Sequence, residues 1–418
     1  MDVLLVNPNR YKSPPVPPIG LEHVSAYLVE QGHKTVVVDC CFVENIPAAL
    51  DSAINAFSPD IAGITIRNID SVLLQNNEFF LDEIKDMVNY LKEHWGLPVI
   101  IGGTGVWTNP EGVMEYLNAD YVVSGSAEES LLTCLNSIED GNQEKRYFKE
   151  YGTGTIYCPR NSDLTDYRKY SDANGIAGFQ THKGCSSSCV YCIEAHTRVR
   201  FKHIKDTIRE IRCLTEGGYH HFHLCDSEFN EDLDFAADFC ASLNKSTLKI
   251  TWTAYMKPAN YNKKLFRLMK ETGVYLITLT VDSFRKCPEY QADIEKMIFI
   301  SQSCGIKMSI DFLTGFPYES EDDIIQWFDF FRRLQPERVN VNTSIRLYKI
   351  LPITGIIMND SALRKYLVGY TGDDTLVKPV FYNHIDSARL TDLIAGDRLF
   401  RIEGIEPGVN YTRLVQSS

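Results

Sequence analysis

The chain has 418 residues, of which 44% are apolar and 23% charged, a length and composition suited to two globular domains. Its net charge of -13 argues against broad binding along a nucleic-acid phosphate backbone. No apolar stretch approaches about 18 residues without a charge, and the N-terminus lacks the basic-then-apolar order of a signal peptide. We therefore expect a cytoplasmic protein without a membrane span, whose twelve cysteines are mostly reduced thiols.

Residues 1–140 alternate short apolar strands with amphipathic helices such as Leu21–Glu30 and Phe80–His94. The predicted strands are Val3–Asn7, Thr35–Asp39, Ile61–Ile66, Val99–Gly102 and Tyr121–Ser124. Strands rich in Val and Ile that alternate with helices predict an α/β fold with a doubly wound parallel sheet. Ligands of such sheets bind beyond the carboxyl ends of the strands.

Unusual loops follow four of these strands. The candidate ligand-binding residues in them are Pro8, Asn9, Arg67, Asn68, Gly102, Gly103, Gly125 and Glu128. A tight turn explains any one of the glycines equally well, but four such loops at matching strand ends favour a binding site. No G-x-G-x-x-G follows the first strand and no G-x-x-x-x-G-K-[ST] occurs, so dinucleotide and P-loop sites are not indicated.

Residues 141–175 lose this periodicity and are predicted to connect two domains. Alternation returns over 176–355, with six predicted strands: Ile176–Thr181, His221–Ser227, Ile250–Tyr255, Tyr275–Ser283, Met308–Phe316 and Val339–Tyr348. Six strand–helix units suit a partial (βα)6 TIM-like barrel, whose functional groups should lie at the carboxyl ends of the strands. Residues 356–418 form a C-terminal region of unassigned role.

Cys185, Cys189 and Cys192 follow the first strand of this second array with the spacing C-x3-C-x2-C. Three thiolates this close repel one another unless a metal or a cluster neutralises them, and thiolates are the usual ligands of iron–sulfur clusters. Zinc is the main chemical alternative, because His182 and His196 are near enough in sequence to complete a tetrahedral site.

The cysteine spacing, with Tyr191 before the last cysteine, resembles the signature of the radical S-adenosylmethionine (SAM) superfamily. Further strand ends resemble that family's motifs: Asp226-Ser227-Glu228, Asp282-Ser283, Gly315-Phe316-Pro317-Tyr318-Glu319-Ser320 and Arg346-Leu347-Tyr348. The resemblance implies a [4Fe–4S] cluster with one open iron, at which SAM is cleaved to a 5′-deoxyadenosyl radical. It also implies that SAM contacts come from Tyr191, Asp226, Glu228, Asp282, Ser283, Gly315 and Arg346.

The first domain resembles the cobalamin-binding domain that precedes many radical SAM domains. The matching residues are Pro17-Pro18-Ile19-Gly20-Leu21, Gly32-His33, Asp39, Gly102-Gly103 and Gly125-Ser126-Ala127-Glu128. The D-x-H-x-x-G motif that supplies an axial histidine in many B12 proteins is absent. If cobalamin binds, a loop such as Arg67–Asp70 or residues around Trp107 would cover its lower face; the alternative is a vestigial domain that binds no corrinoid.

These resemblances predict a cobalamin-dependent radical SAM C-methyltransferase that acts on a small metabolite or natural-product intermediate. Tyr255 and Cys225 are candidate substrate-facing groups, and an electron donor such as flavodoxin or ferredoxin is the expected protein partner. One alternative keeps both cofactors but performs a non-methylating rearrangement or cyclisation. Another is a non-catalytic, metal-sensing binding protein, which would need no SAM site.

Overall fold

A computed structural model describes residues 1–12, 14–142, 144–152, 155–156, 159–370 and 372–405. Its strands are β1 (Asp2–Asn7), β2 (Lys34–Asp39), β3 (Ile61–Thr65), β4 (Val99–Gly102), β5 (Tyr121–Gly125), β6 (Tyr147–Glu150), β7 (Ala177–Phe179), β8 (His182–Lys183), β9 (Arg200–Phe201), β10 (His221–Leu224), β11 (Thr251–Met256), β12 (Val274–Asp282), β13 (Lys307–Leu313), β14 (Arg338–Asn342), β15 (Ile345–Arg346), β16 (Leu367–Val368), β17 (Phe381–Tyr382) and β18 (Phe400–Ile402). Its helices are α1 (Ile19–Glu30), α2 (Ile46–Phe57), α3 (Leu81–Trp95), α4 (Pro110–Leu117), α5 (Ala127–Glu139), α6 (Tyr167–Asp172), α7 (Ile204–Glu216), α8 (Leu233–Lys245), α9 (Lys263–Glu271), α10 (Pro288–Cys304), α11 (Glu321–Leu334), α12 (Pro352–Asn359), α13 (Ser361–Arg364) and α14 (Ser387–Ile394). None of the helices in these ranges is long and apolar enough to cross a membrane.

The first domain is built on a six-stranded parallel sheet in the order β2-β1-β3-β4-β5-β6. Its strands are buried on both faces: Leu4 and Val6 belong to one apolar core, while Val3 and Leu5 belong to the other. This confirms the predicted doubly wound sheet. The strand β6, however, lies inside the predicted connector and was not predicted, because its sequence Tyr-Phe-Lys-Glu is short and half polar.

The second domain is a seven-stranded parallel sheet in the order β7-β10-β11-β12-β13-β14-β18. Alternate residues of each strand, such as Leu279 and Val281 of β12, pack into the core with the surrounding helices. The order of strands confirms the predicted open barrel. The seventh strand, β18, comes from the C-terminal region and pairs Phe400 with Val339 of β14.

The sixth predicted strand, Val339–Tyr348, is two elements in the structure. Its first part is β14 of the barrel, whereas β15 leaves the barrel and joins β16 and β17 in a small antiparallel sheet. Ile345 there faces Tyr382 across the ladder. The carboxyl end of the sixth barrel strand therefore lies at Asn342, before Arg346.

One buried and one half-buried ion pair fix the first domain against the rest of the chain. Arg160 Nε lies 2.7 Å from Glu22 Oε2, and both side chains are almost fully buried. Lys183 Nζ lies 2.7 Å from Glu128 Oε1, which joins the start of α5 to β8. Because β8 leads directly into the cysteine loop, the first domain helps to position that loop.

Candidate active site

The cysteine loop runs from β8 to β9 beyond the carboxyl end of β7. The two short strands pair antiparallel and close the base of the loop. Cys185 N donates to Thr197 Oγ1 (2.9 Å), and Thr197 N donates to Cys185 O (3.1 Å), which ties the first cysteine to the returning chain. Gly184 has φ +91°, and an added Cβ would lie 2.2 Å from Arg198 O. Only glycine fits this close approach.

Substitution of Gly184 by alanine should therefore disturb the loop. The left-handed conformation alone costs an L-residue about 1–2 kcal/mol, and the contact with Arg198 O forces the loop to shift. We expect the reconstituted Gly184→Ala protein to hold less iron and sulfide than wild type. Gly218→Ala is the control, because φ is +94° there but nothing lies within 4 Å of the added Cβ. Equal iron contents in the two variants would contradict the prediction.

The three predicted cysteines line one cavity of about 240 Å³ at the carboxyl ends of the barrel strands. The other residues that line it are Ser187, Tyr191, Glu194, Ala195, Ser227, Glu228, Lys257, Pro258, Thr280, Asp282, Arg285 and Tyr290. Burial raises the pKa of each thiol, that of Cys192 to about 11, so a bound metal group is needed to hold them as thiolates at neutral pH.

The donor set fits an iron–sulfur cluster better than a single zinc ion. Among the described residues, no three ligand side chains converge as they would around one ion. His182 is buried beside Asp226 (Nδ1 to Oδ2, 3.1 Å), and no histidine is among the described residues that line the cavity. Three thiols spaced around a cavity suit a group of several atoms with one position left for another ligand.

Polar side chains on the far wall of the cavity form a connected network. Tyr191 Oη donates to Asp282 Oδ1, and Asp282 Oδ2 lies 2.9 Å from Arg285 Nε. Arg285 Nη2 in turn lies 3.6 Å from Cys189 Sγ. The end of β12 is thereby connected to the aromatic residue and to the second cysteine of the C-x3-C-x2-C loop.

Glu228 is a buried carboxyl on the same wall. Burial raises its pKa to about 8, assisted by the carboxylates of Glu231 and Asp282 and opposed by Lys257. Its Oε2 atom is buried without a hydrogen-bond partner among the described residues. A buried acceptor of this kind suits a cationic or donor group of a ligand in the cavity.

Other residues predicted to contact SAM are not among the described residues that line the cavity. Asp226 accepts hydrogen bonds from Thr181 N (2.8 Å) and His182 N (3.2 Å), so its carboxylate supports the chain that enters the cysteine loop. Ser283 is fully buried, and its carbonyl accepts from Trp327 Nε1. Gly315 N donates to Glu319 Oε2 (2.6 Å) within its own turn.

Arg346 also departs from the sequence prediction. Its Nε atom lies 2.7 Å from Asp70 Oδ2, and the remaining guanidinium nitrogens donate to the carbonyls of Leu347, Leu376 and Val377. The side chain is about 1% exposed. Because β15 turns away from the barrel, the Arg346 side chain binds Asp70 of the first domain and so joins the two domains.

A second cavity of about 210 Å³ lies between the domains. Arg67, Asn68, Ile69, Thr104, Gly105 and Thr108 contribute the first-domain wall, and Cys192, Ile193, Glu194 and Tyr348 contribute the other. Gly103, at φ +98°, lets the loop after β4 approach that after β3, since an added Cβ would lie 2.5 Å from Ile66 O. Cys192 and Glu194 line both cavities, so the two cavities meet at the cysteine loop.

The remaining first-domain candidates occupy varied positions. Pro8 is buried and Asn9 half-buried, directly after β1, while Gly20 is exposed in open space at the start of α1. Gly102 packs closely on Val123. Gly125 must be glycine, because its φ is +78° and an added Cβ would lie 2.1 Å from Glu150 O. Gly102 and Gly125 support the sheet and its loops, and none of these three glycines is among the described residues that line the second cavity.

Glu128 holds the cysteine loop in place through Lys183. Burial by itself would raise the pKa of Glu128, but Lys183 more than offsets this and lowers the pKa to about 2. A carboxyl with a lowered pKa stabilises the fold above its unfolded pKa, near 4.5, and loses that contribution as the pH falls toward 2.

We expect Glu128→Gln to destabilise the protein by about 1–3 kcal/mol at neutral pH, because Lys183 loses its charged partner. The difference from wild type should shrink as the pH falls from 4.5 toward 2. Chemical denaturation across this pH range measures it. Asp2→Asn removes the more exposed Lys34 pair and should change stability far less. A Glu128→Gln deficit that stays constant with pH would contradict the assignment.

Tyr255 lies on β11, and Cys225 lies just after β10. Tyr255 Oη donates to Asp311 Oδ2 (3.0 Å), and Asp311 is the ladder partner of Thr280, which lines the first cavity. Cys225 is exposed, and its Sγ atom lies 3.7 Å from the carbonyl oxygen of His223. Neither residue is among those that line the two cavities described above.

Arg285 and Glu194 line the first cavity but were not predicted as site residues from the sequence. Arg285 follows the strand-end Asp282 by three residues, and a cation so close to a strand-end carboxylate is the signal that could have identified it. Glu194 Oε2 accepts from Ser227 Oγ (2.5 Å), a contact between distant segments that no local pattern indicates.

Comparisons with known proteins agree with this architecture. Residues 13–135 match the B12 binding domain family, and residues 179–331 match the Radical SAM superfamily. The tryptophan 2-C-methyltransferase of Streptomyces laurentii is 20% identical to the chain, over 85% of the chain and 73% of that enzyme. An uncharacterised methyltransferase of Pyrococcus horikoshii is 24% identical, over 80% of the chain and 78% of that protein.

A solved structure has the same fold along almost the whole chain. The radical S-adenosylmethionine methyltransferase TsrM from Kitasatospora setae, with cobalamin and a [4Fe-4S] cluster bound, matches with a TM-score of 0.84. The sequence identity is 20%, and the match covers 97% of this chain and 93% of TsrM. The arrangement of both domains and of the C-terminal region is therefore shared.

Proposed function

Because the chain belongs to the radical SAM superfamily and carries a B12-binding domain ahead of its radical SAM domain, we propose that it is a cobalamin-dependent C-methyltransferase of a small molecule. The observation that carries the proposal is the meeting of the two cavities at Cys192 and Glu194. An enzyme that passes a methyl group between SAM, a corrinoid and a substrate needs these sites side by side.

The residues present suit the three cofactors. Cys185, Cys189 and Cys192 would hold the cluster, and Tyr191, Glu228 and Asp282 line the space that SAM would share with it. The loops after β3 and β4 would contact the corrinoid at the second cavity, with Arg67 and Asn68 among its walls. When bound, the cluster supplies an electron, SAM the methyl group, and cobalamin a carrier for it.

The chain itself would orient the ligands and exclude water. Glu228 offers its buried carboxyl to a donor group in the first cavity. Asp311 accepts from Tyr255 and from Asn340 Nδ2 (2.8 Å), which fixes the phenol next to Asp311, the ladder partner of Thr280. In this position Tyr255 would contact the substrate, and Cys225, at the end of the adjacent strand, would face the same space.

Tryptophan is the first substrate to test, because the Streptomyces laurentii relative is named for tryptophan methylation and aligns over 85% of the chain. The electron would come from a small protein donor such as flavodoxin or ferredoxin.

Anaerobic reconstitution with iron, sulfide and a corrinoid, followed by SAM, reductant and tryptophan, tests the proposal. We expect the wild-type protein to retain corrinoid and to form S-adenosylhomocysteine and a methylated product, and we expect both products to decrease in Cys185→Ala. 5′-Deoxyadenosine without S-adenosylhomocysteine would indicate a rearrangement or cyclisation instead. A folded wild-type protein that retains the cluster but no corrinoid would indicate that the B12-binding domain is vestigial.

A further inference from the structure

Arg285 is a cationic side chain in contact with a predicted cluster ligand. Its Nη2 atom lies 3.6 Å from Cys189 Sγ, and the side chain lines the first cavity. The contact comes from the loop that follows β12, so it is independent of the cysteine loop itself.

The guanidinium is held in place from several sides. Asp282 Oδ2 lies 2.9 Å from Nε, and Asp282 is almost fully buried. The rings of Phe284 and Tyr290 lie 5.9 and 5.6 Å from Arg285 Cζ, distances typical of cation–π contacts. A planar guanidinium held by one nitrogen can present another to a sulfur, which a lysine ammonium does less well.

We propose that Arg285 stabilises the reduced state of the cluster and so raises its reduction potential. On reduction the cluster gains one electron, and an external low-potential donor such as dithionite loses one; no bond is formed or broken. The three thiolates already make the oxidised cluster with its ligands anionic, and reduction adds a further negative charge. A cation that donates to a ligand sulfur favours the more negative state, since hydrogen bonds to the sulfurs and net charge set cluster potentials.

Asp282 strengthens the expected effect of removing Arg285. Its carboxylate is buried next to Tyr191 and the cavity, and Arg285 is its ion-pair partner. Without Arg285, an unpaired carboxylate would remain close to Cys189. The reduced cluster would then lose a favourable interaction and experience an uncompensated negative charge.

The inference rests on the cluster of the proposed function, and it is tested without turnover. The full chain is reconstituted anaerobically without SAM, iron and sulfide are measured, and the midpoint potential is determined by redox titration followed by electron paramagnetic resonance. We expect Arg285→Met and Arg285→Gln to lower the potential by at least the equivalent of a tenfold change in the reduction equilibrium, about 59 mV for one electron. Arg285→Lys should recover more than half of that shift.

Lys286→Met is the matched control, because it removes the same charge one residue along the chain. Lys286 pairs with Asp323 (2.6 Å) and is about half exposed, and it is not among the described residues that line the cavity. Its potential should equal that of wild type. If Arg285→Met assembles no cluster, Arg285→Gln decides the question by the same criterion.

The role of Arg285 would be overturned if Arg285→Met and Arg285→Gln had the midpoint potential of wild type. It would also be overturned if Lys286→Met lowered the potential as much as they do. So would a reduction potential of Arg285→Lys that is as low as that of Arg285→Met. In a separate titration of the same reconstituted variants with SAM, a loss of SAM affinity at unchanged reduction potential would overturn the proposal and assign Arg285 to SAM binding. If wild type itself takes up no iron and sulfide, the cluster of the proposed function fails as well, and that outcome is distinct from the others.

Discussion

Cys192→Ala should abolish both the cluster and methyl transfer. Cys192 lines the cavity of the three thiols and also the cavity between the domains, so its loss removes a cluster ligand and alters the wall that the two sites share. The loss of activity should exceed the roughly 10–100-fold decrease that is typical of removing an outer partner of a metal ligand. Iron and sulfide analysis, the visible absorption of the cluster and product formation measure it.

The matched control for this experiment is Cys213→Ala. Cys213 is an exposed cysteine of α7, and it is not among the described residues that line either cavity. Its iron content and turnover should equal those of wild type. A Cys192→Ala protein with a full complement of iron and an unchanged rate would contradict the assignment of the cysteine loop.

Arg346→Met should destabilise the fold by about 3–5 kcal/mol, because it leaves a buried carboxylate without its partner. Asp70 is fully buried, and Arg346 Nε lies 2.7 Å from its Oδ2 atom. The substitution also removes the terminal nitrogens that donate hydrogen bonds to the carbonyls of Leu376 and Val377. Chemical denaturation followed by circular dichroism measures the change.

Two further variants separate the ion pair from general loss of packing. Adding Asp70→Asn to Arg346→Met should cost less than the sum of the single changes, since the unpaired charge is removed. Arg389→Met breaks an exposed pair with Glu321 and should change stability by at most about 1 kcal/mol. Additive effects at Asp70 and Arg346 would show that the pair contributes no coupling.

The sequence predicted best where the signal is contiguous. The apolar run Val3–Asn7 predicted a strand, and the structure has β1 there; the closely spaced cysteines, which depend on neighbouring residues in the same way, line one cavity. Asp282 also reaches the cavity because it ends β12, and Glu228 reaches it from the loop that follows β10; the alternation of strands and helices determines the direction of both strands.

The sequence failed where pairing between distant segments decides the structure. The three residues of β18 form a strand only because β14, about 60 residues earlier, offers its edge. Arg346 ends a strand, as predicted, but its direction depends on β17, which takes β15 out of the barrel. The contact of Arg285 with Cys189 joins residues 96 positions apart, and no local pattern reports it.

The most direct test of the proposed function is transfer of a labelled methyl group. The reconstituted enzyme, loaded with corrinoid and given SAM that carries a deuterated methyl group, is incubated with reductant and tryptophan, and the products are analysed by mass spectrometry. We expect the labelled methyl group on a carbon of the product, together with S-adenosylhomocysteine, and neither when the corrinoid is omitted. A product without the label, or the same labelled yield without corrinoid, would contradict methyl transfer through the two adjoining cavities.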